Sequence, residues 1–199
     1  MNVLRMTACC VLGMGTIGAM AQMAASAPQV PAIGSISSPS AALDSQLSLI
    51  EMEMMGAVKA MPADKFIFAP SAAIFAPAQK TEFATVRTFA QQVAHVAEAN
   101  YFFANTFSGL KPDVDVRAIE KLTSKDDLVA ALAGSFAFSH KAFATLTPGN
   151  AFEVIKSPEP GFATRATLAA FEVAHAYDHY GQMVEYLRMN AIIPPASAK

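Results

Sequence analysis

Residues 165–190 read RATLAAFEVAHAYDHYGQMVEYLRMN. Val173, Ala176, Tyr180, Val184 and Leu187 recur every three or four positions, which predicts an amphipathic helix over Arg165–Asn190 with that stripe buried. Thr164 is a candidate N-cap, and Pro194-Pro195 lies beyond the end. A second stripe of the same helix carries Leu168, Phe171, His175, His179 and Gln182. Since the first stripe already accounts for packing, the histidines are not needed to hold the helix in place. Two imidazoles at i and i+4 share one face and can grip a single metal ion. The same spacing also occurs with no metal, so the pair alone leaves both readings open. Zinc proteases of the His-Glu-x-x-His type need a glutamate where Ala176 stands. The inverted form, His-x-x-Glu-His, finds the shorter Asp178 at the glutamate position, on a chain that is too small and too helical for that class.

Working outward, three further helices are expected. Leu43, Leu47, Ile50, Met54, Val58 and Met61 mark one over Ala41–Met61, with Ser40 as the candidate cap and Pro62 as the stop. Val86, Phe89, Val93, Val96 and Tyr101 mark another over Glu82–Phe107, stopped by Gly109 and Pro112. A third spans Lys125–Leu146. There Ser124 and Asp127 resemble a capping box, and Pro148-Gly149 ends the helix. No stretch alternates with period two for long enough to be a strand. The fold class is therefore all-α, a four-helix bundle over 41–195 with a tail at 196–199. The long links at 62–81 and 147–163 are each expected to lie over a bundle end, with Phe66, Phe68 and Phe75 plugging the core.

His95 lies on the second helix, in the string HVAEANYFF, on a face shared with Gln91, Glu98, Ala99 and Phe102. This string, together with HAYDHYGQMVEYLR at 175–188, resembles the DinB-like superfamily of four-helix metalloproteins. Helix four carries most of the resemblance, which covers about 41–195. It implies an up-down-down-up bundle, usually a homodimer. It also implies a divalent metal, zinc or nickel, held by His95, His175 and His179. Relatives include transferases and isomerases that use low-molecular-weight thiols. Three neutral histidines leave metal positions open, which permits catalysis on a small molecule of transferase or hydrolase type. A non-catalytic metal-binding or stress-related role stays open beside it. Glu172 and Asp178 are weak candidates for an acid or base, or for orienting an imidazole. Asp178 reads more simply as part of a solvated face. Tyr177 and Tyr186 count only if they point into a cavity. His140 reads as a partly buried structural residue, with an outer position at the metal as the alternative.

The first residues, MNVLRMTACCVLGMGTIGAMA, set Arg5 ahead of an uncharged run and close on Ala19-Met20-Ala21. That is the pattern of a secretory signal over 1–21, followed by a flexible lead-in over 22–40. The run is shorter than a spanning helix and is weakened by three glycines. Cys9 and Cys10 are the only cysteines, so a processed chain has no disulfide, thiolate ligand or cysteine nucleophile. The expected location is periplasmic or extracellular, with no membrane span after processing. With a formal charge of -2 and 15% charged residues, the chain lacks the basic face that nucleic acid requires. N-terminal sequencing of the exported protein should begin near Gln22. An intact Met1 in the exported fraction would refute the processing site.

Overall fold

The structure, a computed structural model, describes residues 32–71 and 86–198. The signal, most of the lead-in, Phe75 and the expected helical residues 82–85 lie outside the described residues. All four long helices lie within one compact unit, residues 36–199. They are α1 (Pro39–Ala60), α2 (Phe89–Ser108), α3 (Lys125–Phe143) and α4 (Arg165–Met189). The described residues contain no strand, only an isolated bridge between Val154 and Thr164. None of their helices is long and apolar enough to cross a membrane.

The helix ends follow local chemistry and correct several expected boundaries. α1 is capped by Ser38, whose hydroxyl accepts the Ala41 N–H at 3.1 Å, and not by Ser40. Proline suits the first helical position because its missing N–H has no partner there anyway, so Pro39 opens the helix and Ser40 falls inside it. α2 begins seven residues later than expected, at Phe89. Thr88 and Gln91 form a reciprocal capping box, with N–H bonds of 3.2 and 2.8 Å. Val86 therefore lies outside the helix, exposed, and contributes nothing to the core. α2 ends on Gly109 at φ 81°, a left-handed position that favours glycine. α3 has the expected cap, Ser124, but stops at Phe143, where tighter i to i+3 bonds from Thr145 and Leu146 replace the α pattern. α4 starts after Thr164 as expected and ends one residue early, at Met189.

Paired side chains give the helix directions. Asn100 meets Ser135, and Phe107 meets Phe143, so α2 and α3 are parallel. Gln92 meets Gln182, and Phe103 meets Phe171, so α4 runs opposite to α2. Lys125, at the start of α3, donates from Nζ to the carbonyls of Lys59 and Met61 at the end of α1, while His140 reaches Asp44 near its start. α1 is thus opposite to α3, and the order is up-down-down-up. α1 and α2 each pack on α3 and α4. Two parallel neighbours need a link that returns the length of a helix, about 30 Å at 1.5 Å per residue. Residues 109–124 make that return. The 3-10 segment Val116–Lys121 anchors them along α2 with Ile119 buried. This segment is the long crossover, whereas 62–81 and 147–163 join antiparallel helices.

The expected stripes form the core: Leu47, Ile50, Met54 and Val58 of α1, Phe89, Val93 and Val96 of α2, and Val173, Ala176 and Leu187 of α4. Phe66 packs edge-on against Phe89 at 5.2 Å and Phe68 against Tyr186 at 5.5 Å, closing one end of the bundle. His140 has no part in the metal cluster and binds α1 to α3. Its Nδ1 lies 2.6 Å from Asp44 and its Nε2 2.9 Å from Glu51. Both ring nitrogens therefore donate, which requires imidazolium. Burial opposes that charge, but the hydrogen bonds and charges of Glu51 and Asp44 outweigh it and raise the pKa. A raised histidine pKa adds stability below its unfolded value near 6.5, and the gain is lost as pH rises through the folded value. The melting-temperature gap between wild type and His140→Ala should be widest below pH 6 and shrink with rising pH. A gap constant across pH would rule out the charged clamp.

Candidate metal centre

The antiparallel register of α2 and α4 brings His95 opposite His175 and His179. The Nε2 of His175 lies 3.2 Å from the Nε2 of His95 and 3.2 Å from the Nε2 of His179. These three histidines form a group able to hold a metal ion, and it is the only one of three or more His, Cys, Asp or Glu side chains among the described residues. Ligand nitrogens about 2.0–2.1 Å from a tetrahedral zinc stand roughly 3.3 Å from one another, so the spacing fits one small divalent ion. His175 Nδ1, on the far side of its ring, is buried with no hydrogen-bond partner.

All three imidazoles are held neutral, the form that binds metal. Desolvation, then the charge of Arg87, lowers His95. Desolvation is also the main cause at His175 and His179, with neighbouring histidines next, and each falls to about 4. Asp178 pulls weakly the other way at both.

A relay of hydrogen bonds sets the tautomer of His179. The carboxylate of Asp178 only accepts, and it takes the Gln182 Nε2–H at 3.0 Å. Gln182 therefore turns its Oε1 to Gln92, which donates from Nε2 at 2.7 Å. Gln92 in turn presents Oε1 to His179, whose Nδ1–H donates at 2.5 Å. With its proton on Nδ1, His179 aims the Nε2 lone pair at the centre. Partners of this kind orient a ligand ring and raise its basicity. Asp178, read from the sequence as a solvated face, is exposed but anchors this relay. Gln182 was placed on the histidine stripe, whereas Gln92 was missed. It lies three positions before His95, on a face where helical spacing alone does not separate a core amide from a functional one.

Glu172 is fully buried and far from solvent. Ser139 donates to its Oε1 at 2.5 Å, and its Oε2 has no partner. Desolvation pushes its pKa up to about 8, so it is a neutral acid at pH 7. The same interior layer holds Asn100, which donates to Ser135 at 3.1 Å and leaves its Oδ1 unpaired. Glu172 lines neither cavity at the centre. Tyr186 is buried, and its hydroxyl donates to the Arg87 carbonyl at 3.1 Å, fixing the segment that carries Arg87. Tyr177 packs edge-on to Tyr180 at 6.4 Å, away from the histidines.

Two cavities meet at His95. One, of about 420 Å³, has Arg87, Gln91, Glu98 and Glu120 in its walls. The other, of about 340 Å³, is more apolar and also reaches His175. Glu98 lines both. Its pKa is raised chiefly by desolvation and then by Glu120, against the opposing Glu120 backbone N–H and Arg87. Glu98 is three residues after His95, so its place on that face was legible, but its acid–base character depends on Glu120 and Arg87, which approach from other segments.

A family model described as the DinB superfamily matches residues 46–183, from the first turns of α1 to beyond His179. Comparison with curated proteins gives no match.

Removing the relay tests its part in the centre. Gln92→Leu should fold and weaken metal binding about 10- to 100-fold, the usual loss for a partner of a ligand imidazole. Unchanged affinity in a competition titration would exclude the relay. The lowered histidine pKa values carry their own sign. Unfolded histidines near 6.5 take up protons that the folded ones refuse until about pH 4, so metal-free protein should lose stability as pH falls between these values.

Proposed function

The chain belongs to the DinB superfamily, and on that premise we propose that it is an exported, metal-dependent enzyme of transferase or hydrolase type. Its divalent ion is zinc or nickel, held by His95, His175 and His179. The observation that carries this reading is the convergence of three Nε2 atoms, two contacts at 3.2 Å, beside cavities of about 420 and 340 Å³. A structural zinc site is closed by four protein ligands, whereas three ligands beside open space are the arrangement of catalytic sites. When bound, the metal supplies Lewis-acid activation of water, a thiol or a carbonyl.

The chain's own residues supply the rest. The relay through Gln92 fixes the His179 lone pair. Arg87 adds a positive charge that an anionic group of a substrate can meet. Glu98 is the nearest candidate for moving a proton, because it lines both cavities and its pKa is raised toward the working range. Glu172, sealed in the core, cannot exchange protons with a substrate from where it stands. Export to the periplasm or beyond follows from the signal pattern at 1–21, and a homodimer follows from the family resemblance. The alternative, a bundle whose function is metal binding itself, is favoured by the breadth with which both cavities open to solvent.

Elemental analysis of protein purified without chelators should show stoichiometric zinc or nickel in the wild type and none in His175→Ala. A wild type free of metal would overturn the proposal. Added metal should also raise the melting temperature of the metal-free wild type, by an amount equivalent to ~2.7 kcal/mol at a hundredfold excess over Kd. Glu98→Gln should keep the metal. If catalysis is the function, that variant loses turnover without losing the ion.

A further inference from the structure

The smaller cavity has a composition that the metal does not explain. Phe102, Phe103 and Phe171 form its apolar walls, with His95 and His175 at one side. Phe103 stands edge-on to Phe171 at 5.3 Å and to His175 at 5.5 Å. Phe162 stacks on Phe171 at 4.4 Å and holds that ring from behind. Phe102 is 52% exposed, although it meets Phe103 at 5.5 Å. Phe102 therefore offers part of its ring both to the cavity and to solvent.

The charge lining this cavity has one sign. Glu98 and Glu159 are its charged residues, and neither joins an ion pair among the described residues. Arg87 lies in the walls of the neighbouring cavity and not of this one. Desolvation and then Glu120 raise the pKa of Glu98, against the Glu120 backbone N–H and Arg87, and a further positive group beside it favours the carboxylate. Aromatic faces attract cations through the ring quadrupole, by about 0.5–1 kcal/mol at exposed sites. A volume of about 340 Å³ sits at the small end of ligand cavities.

We propose that this cavity recognises a small organic ammonium ion with an aromatic or branched apolar body. The body packs on Phe102, Phe103 and Phe171, and the positive charge is met by Glu98 and Glu159. The proposal deepens the enzymatic reading and rests on it for its biological meaning, because the wall shared with His95 and His175 sets such a molecule against the metal centre. In the metal-free protein an organic anion finds no cation among the residues lining this cavity, and an uncharged molecule brings no positive group to Glu98 and Glu159. Both are therefore selected against by charge, and specificity lies in that difference.

Benzyltrimethylammonium is a suitable probe. It carries an aryl body and a fixed positive charge, and it has no donor atom for a metal, so its binding reads the cavity alone. Saturation-transfer NMR and calorimetric titration are run on the purified wild type, with and without added zinc, beside 3-phenylpropionate and benzyl alcohol. The cation should bind in both metal states, and to the metal-free protein more tightly than either control, since the carboxylate of 3-phenylpropionate can itself ligate zinc. Phe102→Ala, an exposed position whose loss leaves the core intact, should weaken it about two- to fivefold, the usual value of an exposed cation–aromatic contact. Glu98→Gln should weaken the cation and not benzyl alcohol. Absence of cation binding, equal binding of 3-phenylpropionate to the metal-free protein, or indifference to both variants would overturn the proposal. Because the probe needs no metal, the two readings fail separately. Protein that takes up zinc and ignores the probe refutes the cavity assignment alone, and protein that binds the probe but takes up no zinc refutes the metal centre alone.

Discussion

The antiparallel contact between α2 and α4 is the constraint on which the centre depends. One register sets Gln92 against Gln182, His95 against His175 and His179, and Phe103 against Phe171. A displacement of one residue turns each side chain by about a quarter of a turn or more on its helix and breaks all of these contacts together. The register is held on the apolar side by Val93, Val96, Ala176 and Met183, all buried. It is also held on the polar side by the amide relay. The histidines depend on packing that they do not themselves provide, which leaves them free to meet an ion.

The bundle distributes its ionisable groups by depth. At the surface seam between α1 and α3, His140 is positively charged between two carboxylates. At the α2–α4 seam, three histidines are neutral because burial resists charging, helped by Arg87 at His95 and by neighbouring histidines at His175 and His179. In the core, Glu172 is a neutral acid because only Ser139 offsets its desolvation. Residue type alone would give the four described histidines one pKa, and the structure separates them into two classes by the company each keeps. Asn100, Glu172 and His175 each leave a buried polar atom unpaired among the described residues. Buried polar atoms of this kind are where ordered water is usually found.

Much of the fold was legible because helical periodicity is a local signal. The stripes of α1 and α4, the caps at Ser124 and Thr164, and the all-α class all follow from spacing within one segment. Boundaries failed where two local signals competed. Pro39 moved the start of α1 back to Ser38, and the Thr88–Gln91 box moved the start of α2 past Val86. The crossover was not legible, because loop length and composition carry no information on whether the helices they join run parallel. Residues 109–124 make the return, and only the pairing of Asn100 with Ser135 and of Phe107 with Phe143 reveals it.

By itself the sequence determined four apolar stripes, an i,i+4 histidine pair, a third histidine on another helix and an N-terminal pattern of export. These follow from chain-local spacing, which the α-helix converts directly into shared faces. The tertiary structure decided what those faces meet. It brought three Nε2 atoms together, selected the His179 tautomer through Gln92 and Gln182, sent His140 to α1 and sealed Glu172 in the core. Each of these is a relation between residues far apart in sequence. Such relations arise only when the helices pack, because desolvation and hydrogen-bond direction depend on neighbours that no local pattern names.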